Sequence, residues 1–347
     1  MDISNNNLTG MNPNLELKLT NSPHIDLSLN QFEGCIPLFL LQAGAVQLSD
    51  NKFSDLASFT CSKSKPSNLV ILDLSSNELK GELPDCWNDL TSLQYVDLSN
   101  NKLSGKIPFS MGTLTNMELA LLDLGENKFH GPLPAWIGQS LHQLVILSLR
   151  FNNFNGILPS NLCYLTKLHV LDLSVNSLSG GIPTCVKNFT SMTQNFMNSA
   201  TSMEHWYSLN NYLYVKYEYN LFLMWKGADR RYKNADKFLK TIDLSSNNLT
   251  GEIPTEMQYL VALISLNLSR NNLRGEIISN IGNFKSLEFL DLSRNNLSGR
   301  IPSSLAHIDR LTWLDLSYNH LNGKIPIGTQ LQTFNASSFE ENSNLCG

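Results

Sequence analysis

Aspartate recurs at Asp26, Asp73, Asp97, Asp123, Asp172, Asp243, Asp291 and Asp315, each time one residue before a leucine. Two carboxylates held close together can divide acid and base roles, so the column is the first place to look for catalysis. A residue repeated at the same point of successive units instead predicts an exposed, solvated repeat position. The other reactive side chains are no more suggestive. His142, His169 and His205 are scattered, and no C-x-x-C or Cys/His cluster marks a metal site. Glycine-rich phosphate loops, H-E-x-x-H, G-x-S-x-G and the kinase motifs are all missing from the sequence. The chain reads as a binding protein with no enzymatic activity and no cofactor. A net charge of −5 with only 16% charged residues argues against a nucleic-acid partner. A hydrophobic content of 42% is that of a packed chain, and no apolar run reaches membrane-spanning length.

The elements that carry these residues follow from the 41 asparagines. One Asn returns at positions 6, 30, 51, 77, 101, 127, 152, 176, 247, 271, 295 and 319, at intervals of 21–26 residues apart from a single gap of 71. Around it the sequence reads L-x-x-L-x-L-x-x-N-x-L-x-G-x-I/L-P. The L-x-L alternation has strand period and places its leucines on one face. One such strand cannot bury that face alone, so about twelve coils must stack on a continuous core with one parallel sheet. The Asn amide is expected to bond the backbone of its own and the next coil. Gly permits the turn that follows, and Pro stiffens its exit.

The long gap places an insertion at 192–238, between repeats at 1–191 and 239–330, with a distinct tail at 331–347. Six of the ten tyrosines lie in the insertion, with Trp206 and Trp225. Tyr212–Tyr219 alternates like a strand, and 222–227 is placed to pair back on it as a hairpin. Aromatic insertions on rigid scaffolds commonly bind partners, which makes Trp206, Tyr212, Tyr214 and Trp225 candidate ligand contacts. The alternative is a loop folding its aromatics onto the flank.

Cys61 and Cys86, and Cys163 and Cys185, are one repeat apart and could each bridge neighbouring coils; buried free thiols are the alternative. Cys35 has no evident mate. Sequons at Asn7, Asn188, Asn248, Asn267, Asn296 and Asn335 are glycosylation candidates, at a frequency that chance alone supplies.

The x positions of the strands face the concave side, where departures from the repeat carry information. Ile146, Arg150, Phe151, Val170 and Val175 replace small polar residues and predict an exposed, mainly apolar patch. Arg270, Phe289, Arg294, Trp313 and Tyr318 combine aromatics with arginine, as interface anchors do.

The G-x-I-P form of the 24-residue unit, seen in Leu72-Asp-Leu-Ser-Ser-Asn77-Glu-Leu-Lys-Gly81-Glu-Leu-Pro84, resembles the plant-specific class of leucine-rich repeat. That class occurs in receptor-like kinases, receptor-like proteins and polygalacturonase-inhibiting proteins of plants. An island followed by four regular repeats, with Leu223-Met-Trp-Lys-Gly227 and Tyr232-Lys233 at its exit, resembles defence-type receptor-like proteins; the inhibitors lack an island. The resemblance implies a leucine-rich-repeat solenoid from the extracellular face of the plasma membrane, sensing a peptide or protein elicitor. It further implies that the island and preceding concave surface meet the ligand, and that the C-terminal repeats meet co-receptor and adaptor kinases. Phe339–Gly347 resembles the start of a C-terminal cap, and Met1–Asn6 begins inside a repeat, so a fragment is expected, with a membrane helix and short tail beyond it. A developmental peptide receptor, a soluble inhibitor-like protein and a non-functional truncated copy stay open as alternatives.

Overall fold

The computed structural model describes residues 1–11, 17–61, 67–116, 119–193, 206–210, 213–216, 220–225, 228–233 and 239–346. Two compact units emerge, Met1–Asn153 with Met203–Glu218, and Phe154–Ser202 with Tyr219–Gly347. The units therefore divide within the repeats and within the island.

In the first unit, three-residue strands at His24–Asp26, Ala45–Gln47, Ile71–Asp73, Tyr95–Asp97, Leu121–Asp123 and Ile146–Ser148 pair in parallel, one repeat apart. In the second, Val170–Asp172 pairs directly with Thr241–Asp243, in the register Val170↔Thr241, so the coils on either side of the insertion stack as neighbours. Ser265–Asn267, Phe289–Asp291 and Trp313–Asp315 continue that sheet. The leucines flanking each strand form the core; Leu72, Leu74, Leu290 and Leu316 are fully buried. Most return segments are single turns of 3-10 helix entered from a proline, as at Pro254 before Thr255–Tyr259. Proline presets φ there and needs no donor.

The Asn ladder satisfies the backbone that the short strands leave unpaired. Asn271 Nδ2 donates to the carbonyls of Leu268, Ser269 and Leu244, at 3.1, 3.2 and 2.9 Å, while its Oδ1 accepts the Leu249 N–H at 3.0 Å. The reach is to the preceding coil, opposite to the direction expected from the sequence. Turning the side chain inward fixes the backbone before it: the residue preceding every ladder Asn has φ between +50° and +55°. A thirteenth rung, Asn342, lies in the tail, where it binds the carbonyls of Leu316, Phe339 and Glu340 and caps the Leu321 N–H.

Beyond the ladder, a second parallel sheet is built from strands such as Lys80–Glu82 and Lys102–Gly105 in the first unit and Asn248–Glu252 and Asn272–Glu276 in the second. Its glycine is required twice over at Gly275, where φ is +81° and a Cβ would sit 2.8 Å from the Glu252 stem.

Both cysteine pairs are disulfides, Cys61–Cys86 in the first unit and Cys163–Cys185 in the second, with Cα separations of 5.1 and 5.8 Å. The island forms two antiparallel pairs, not the single hairpin expected. Trp206–Asn210 pairs with Leu213–Lys216, and Asn220–Trp225 pairs with Ala228–Lys233. Each strand finds its partner across the nearest turn, which closes a shorter loop.

Candidate binding surface on the concave sheet

Three columns of side chains run across the strands. The first column, one residue before the inner leucine, is buried where the sequence suggested exposure. Ile146, Val170 and Phe289 are 1%, 0% and 1% exposed. Wide side chains stacked in register at strand spacing cover one another; the Phe289 and Trp313 rings lie 6.1 Å apart and within 6° of parallel. Trp313 is half-exposed, and its indole N–H has no hydrogen-bond partner.

The second column holds the aspartates. They are half-buried or, at Asp123, Asp172 and Asp243, buried, so the expected solvated column is not found. Each carboxylate has a local task. Asp97 Oδ1 accepts the N–H and hydroxyl of Ser99 at 2.9 and 2.6 Å, and Asp291 does the same for Ser293. Those bonds hold the turn into the ladder Asn, which is why the residue repeats. In-register stacking then crowds like charges. Burial, followed by the charges of Asp123 and Asp73, pushes Asp97 well above the usual carboxylate range. Burial and Asp172 raise Asp243 to about 7, and burial raises Asp291 to about 6 despite its bonds to Ser293. Asn267 takes the aspartate's place in one coil and donates to Asp243 Oδ2 at 3.0 Å.

The third column is the left-handed position, and it supplies the exposed groups. In the second unit Arg270 and Arg294 are exposed and Tyr318 is 37% exposed, with the Arg294 guanidinium 4.0 Å over the Tyr318 ring. In the first unit Phe151 is 39% exposed, with Arg150 4.9 Å from its ring centroid. Arg150 itself is only 4% exposed and binds Glu126 at 3.1 Å. It is thus a buried ion-pair partner and not the free cation expected at a patch edge. Val175, in the second unit, is half-buried. The predicted apolar patch consequently reduces to Phe151 in one unit and a half-buried Val175 in the other. The C-terminal group keeps Arg270, Arg294, Trp313 and Tyr318 at the surface, with Phe289 beneath.

Within the island, Trp206 lies opposite Lys216 and Tyr214 opposite Ser208, and Trp225 closes the second pair opposite Ala228. Tyr212 lies outside the described residues. The second pair is anchored by Leu221 and Leu223, which are buried, while Phe222, opposite Arg231, is 46% exposed. Burial raises the Tyr232 hydroxyl's pKa, against the lowering effect of Arg230 and with a smaller rise from the Glu288 charge. The alternation of Leu221 and Leu223 with Phe222 was the sequence signal for this anchored strand. The exposed members of the left-handed column, Phe151, Arg270, Arg294 and Tyr318, stand out in the sequence as departures from the repeat, although the turn that sets their backbone does not.

Of the sequons, Asn7, Asn188, Asn248, Asn296 and Asn335 are exposed. Asn267 is not a candidate in the folded chain, being 4% exposed with both amide atoms bonded, to Asp243 and Ser269.

Comparison with known proteins agrees with this architecture. Two profiles, both described as leucine-rich repeat, match residues 45–103 and 279–321, and 143–165, 167–189, 238–260 and 262–284. Receptor-like protein EIX2 of Solanum lycopersicum is 43% identical over 291 residues, 77% of this chain and 28% of that protein. Receptor-like protein 32 of Arabidopsis thaliana is 33% identical over 76% of this chain and 33% of its own length. The chain thus spans about a third or less of these relatives. Among solved structures, the Arabidopsis receptor kinase HAESA in complex with the peptide hormone IDA and the co-receptor SERK1 aligns with a TM-score of 0.61 at 27% identity, over 100% of this chain and 61% of that one. On this evidence the chain is a member of the leucine-rich-repeat family, related over most of its length to the receptor-like proteins of plants.

Proposed function

We propose that this chain is part of the ligand-binding ectodomain of a plant cell-surface receptor-like protein that senses a peptide or protein elicitor and signals in defence through co-receptor and adaptor kinases. The observation that carries the reading is the surface of the last coils, where Arg270, Arg294, Tyr318 and Trp313 stand exposed or half-exposed together on a rigid sheet. Aromatics and arginine so grouped are the usual anchors of protein interfaces. Similarity to receptor-like protein EIX2, and to the receptor kinase HAESA solved in complex with a peptide hormone and the co-receptor SERK1, supports a receptor role with both kinds of partner. The ligand would meet the island and the concave surface before it, including Phe151, Val175, Trp206, Tyr214 and Trp225. No helix among the described residues is long and apolar enough to cross a membrane.

Capture of a SERK-type ectodomain by the chain carrying Trp313→Ala and Arg294→Glu tests the reading. Capture is expected to fall at least tenfold while the melting temperature stays within a few degrees. Capture unchanged by both substitutions would place the co-receptor elsewhere.

A further inference from the structure

Two consecutive coils of the first unit depart from the repeat together. Where other coils place a serine, such as Ser75 and Ser99, they carry Gly125 and Arg150. The exchange is steric, since a Cβ on Gly125 would lie 3.0 Å from Arg150 Cγ; the glycine makes room for the arginine stem. The buried guanidinium donates to Glu126 Oε1 at 3.1 Å and lies 4.9 Å from the Phe151 ring centroid. Glu126 and Phe151 are the left-handed residues of the same two coils. One buried cation therefore fixes an exposed ring and, beside it, a carboxylate that is 39% exposed. The second Glu126 oxygen has no partner among the described residues. Stability does not account for the arrangement, because a buried ion pair gives little over an apolar replacement. Ser148, in register with Asp123, is fully buried with its hydroxyl unbonded, 3.3 Å from where the Gly125 Cβ would be. A polar group left unbonded in the interior marks a place shaped by something other than packing.

We infer that Glu126 and Phe151 bind a basic side chain, lysine or arginine, of the peptide or protein ligand, with its cation held between the carboxylate and the ring. The sign of the charge follows from the neighbours. Arg150 is matched by Glu126 and has Asp123 beside it, so carboxylates outnumber the guanidinium. Asp97 and Asp73 continue the column in register. Burial, and then the charges of Asp123 and Asp73, hold Asp97 well above the usual carboxylate range, as a negative field requires. Such a field on a partly buried surface draws cations and turns acids away. The ring attracts the same cation through its π face. Because Arg150 holds both groups before a ligand arrives, less ordering is needed on binding. That the cation belongs to an elicitor rests on the receptor reading proposed above; the cation site itself does not.

The test immobilises the full chain and measures retention of peptide libraries with random flanks and a fixed central Arg, Gln or Glu. The Arg-centred library should be retained about fivefold or more over the Gln-centred one, and the Glu-centred library least. Glu126→Gln and Phe151→Leu should each reduce that preference, and together they should abolish it. Gly125→Ser with Arg150→Ser restores the residues of the other coils; it should keep the melting temperature and lose most of the preference, because the carboxylate and ring are no longer held. Glu82→Gln, which removes an exposed acid from the second sheet of the same unit, should change nothing. Equal retention of all the libraries would overturn the inference. So would a preference that survives Glu126→Gln with Phe151→Leu, or one that Glu82→Gln reduces as much. SERK capture separates the two readings: a preference for the Arg-centred library without SERK capture would keep the cation site and discard the co-receptor reading, and SERK capture without the preference would do the reverse.

Discussion

Asp97→Asn should stabilise the protein at neutral pH and do little in acid. Asp97 sits between Asp73 and Asp123 in a parallel register that pairs Asp73 with Asp97 and Asp97 with Asp123. Two carboxylates about 5 Å apart repel by about 3 kcal/mol at an effective dielectric constant near 20. Partial exposure reduces this, leaving a gain of about 2–3 kcal/mol when Asp97 is neutralised. The bonds to Ser99 are kept, because Asn retains the accepting oxygen. Its new N–H₂ can donate to Asp73, as Asn267 already does to Asp243. The sign follows from the direction of the shift. A carboxylate whose folded pKa is raised favours the folded state while protonated, and that stability is lost as pH rises from the unfolded value of 3.8 through the folded one. With Asp291 at about 6 and Asp243 at about 7, the wild type should melt higher at pH 5 than at pH 8. Asp97→Asn should narrow that difference by several degrees, almost wholly at the alkaline end. Calorimetric melts of both proteins at pH 5 and 8 decide the matter. A substitution that lowers the melting temperature equally at both pH values would refute the electrostatic account and leave the aspartates as turn-formers alone.

Three further outcomes are expected. Val175 is a β-branched residue at φ +53°, a conformation that costs such a side chain about 1–2 kcal/mol; Val175→Asn should raise the melting temperature by a few degrees, and a fall would show that its packing outweighs the strain. Asn271→Ala leaves the Leu249 N–H without a partner, at about 1–3 kcal/mol, and removes one of the two amide donors to the Leu244 carbonyl, which keeps Asn247; hydrogen exchange at Leu249 should accelerate at least tenfold. Removing Cys163–Cys185, whose ends are 22 residues apart, by a double alanine substitution should cost about 3 kcal/mol on the chain-entropy account, read as the shift in denaturant midpoint.

The repeat was legible because it is made of residue types with one physical use each. Leucine at strand spacing, an inward Asn and a Gly before the Ile-Pro leave little choice of local structure, and the cysteine pairs followed from coil spacing. The concave face was harder for a physical reason. Pattern told which residues point that way but not how deeply stacking would cover them, so Ile146, Val170 and Phe289 read as surface and lie buried. Arg150 misled for a related cause, since its partner Glu126 belongs to the preceding coil, 24 residues away. Asn342 was missed because its segment lacks the leading leucines, although its amide makes the same bonds as the other rungs.

These corrections change which residues can recognise anything. In a stacked sheet the first column is filled by its own neighbours and the aspartate column is committed to the turns, so neither is free to vary without cost. The left-handed column is different. Its backbone is set by the ladder Asn behind it, whatever side chain it carries, and it accepts Leu29, Asp50, Ser76, Glu126, Phe151, Arg270 and Tyr318 at nearly the same φ. It is therefore the position where side-chain chemistry can change while the fold stays fixed, as a recognition surface requires. Exchanging Arg294 for Ser, the residue at the equivalent position 246, should then leave the melting temperature within about 1 °C, the ordinary range for a surface change, while SERK capture falls. A large loss of stability from that exchange would mean that the Arg294–Tyr318 contact supports the fold, and that the column is not free to serve recognition.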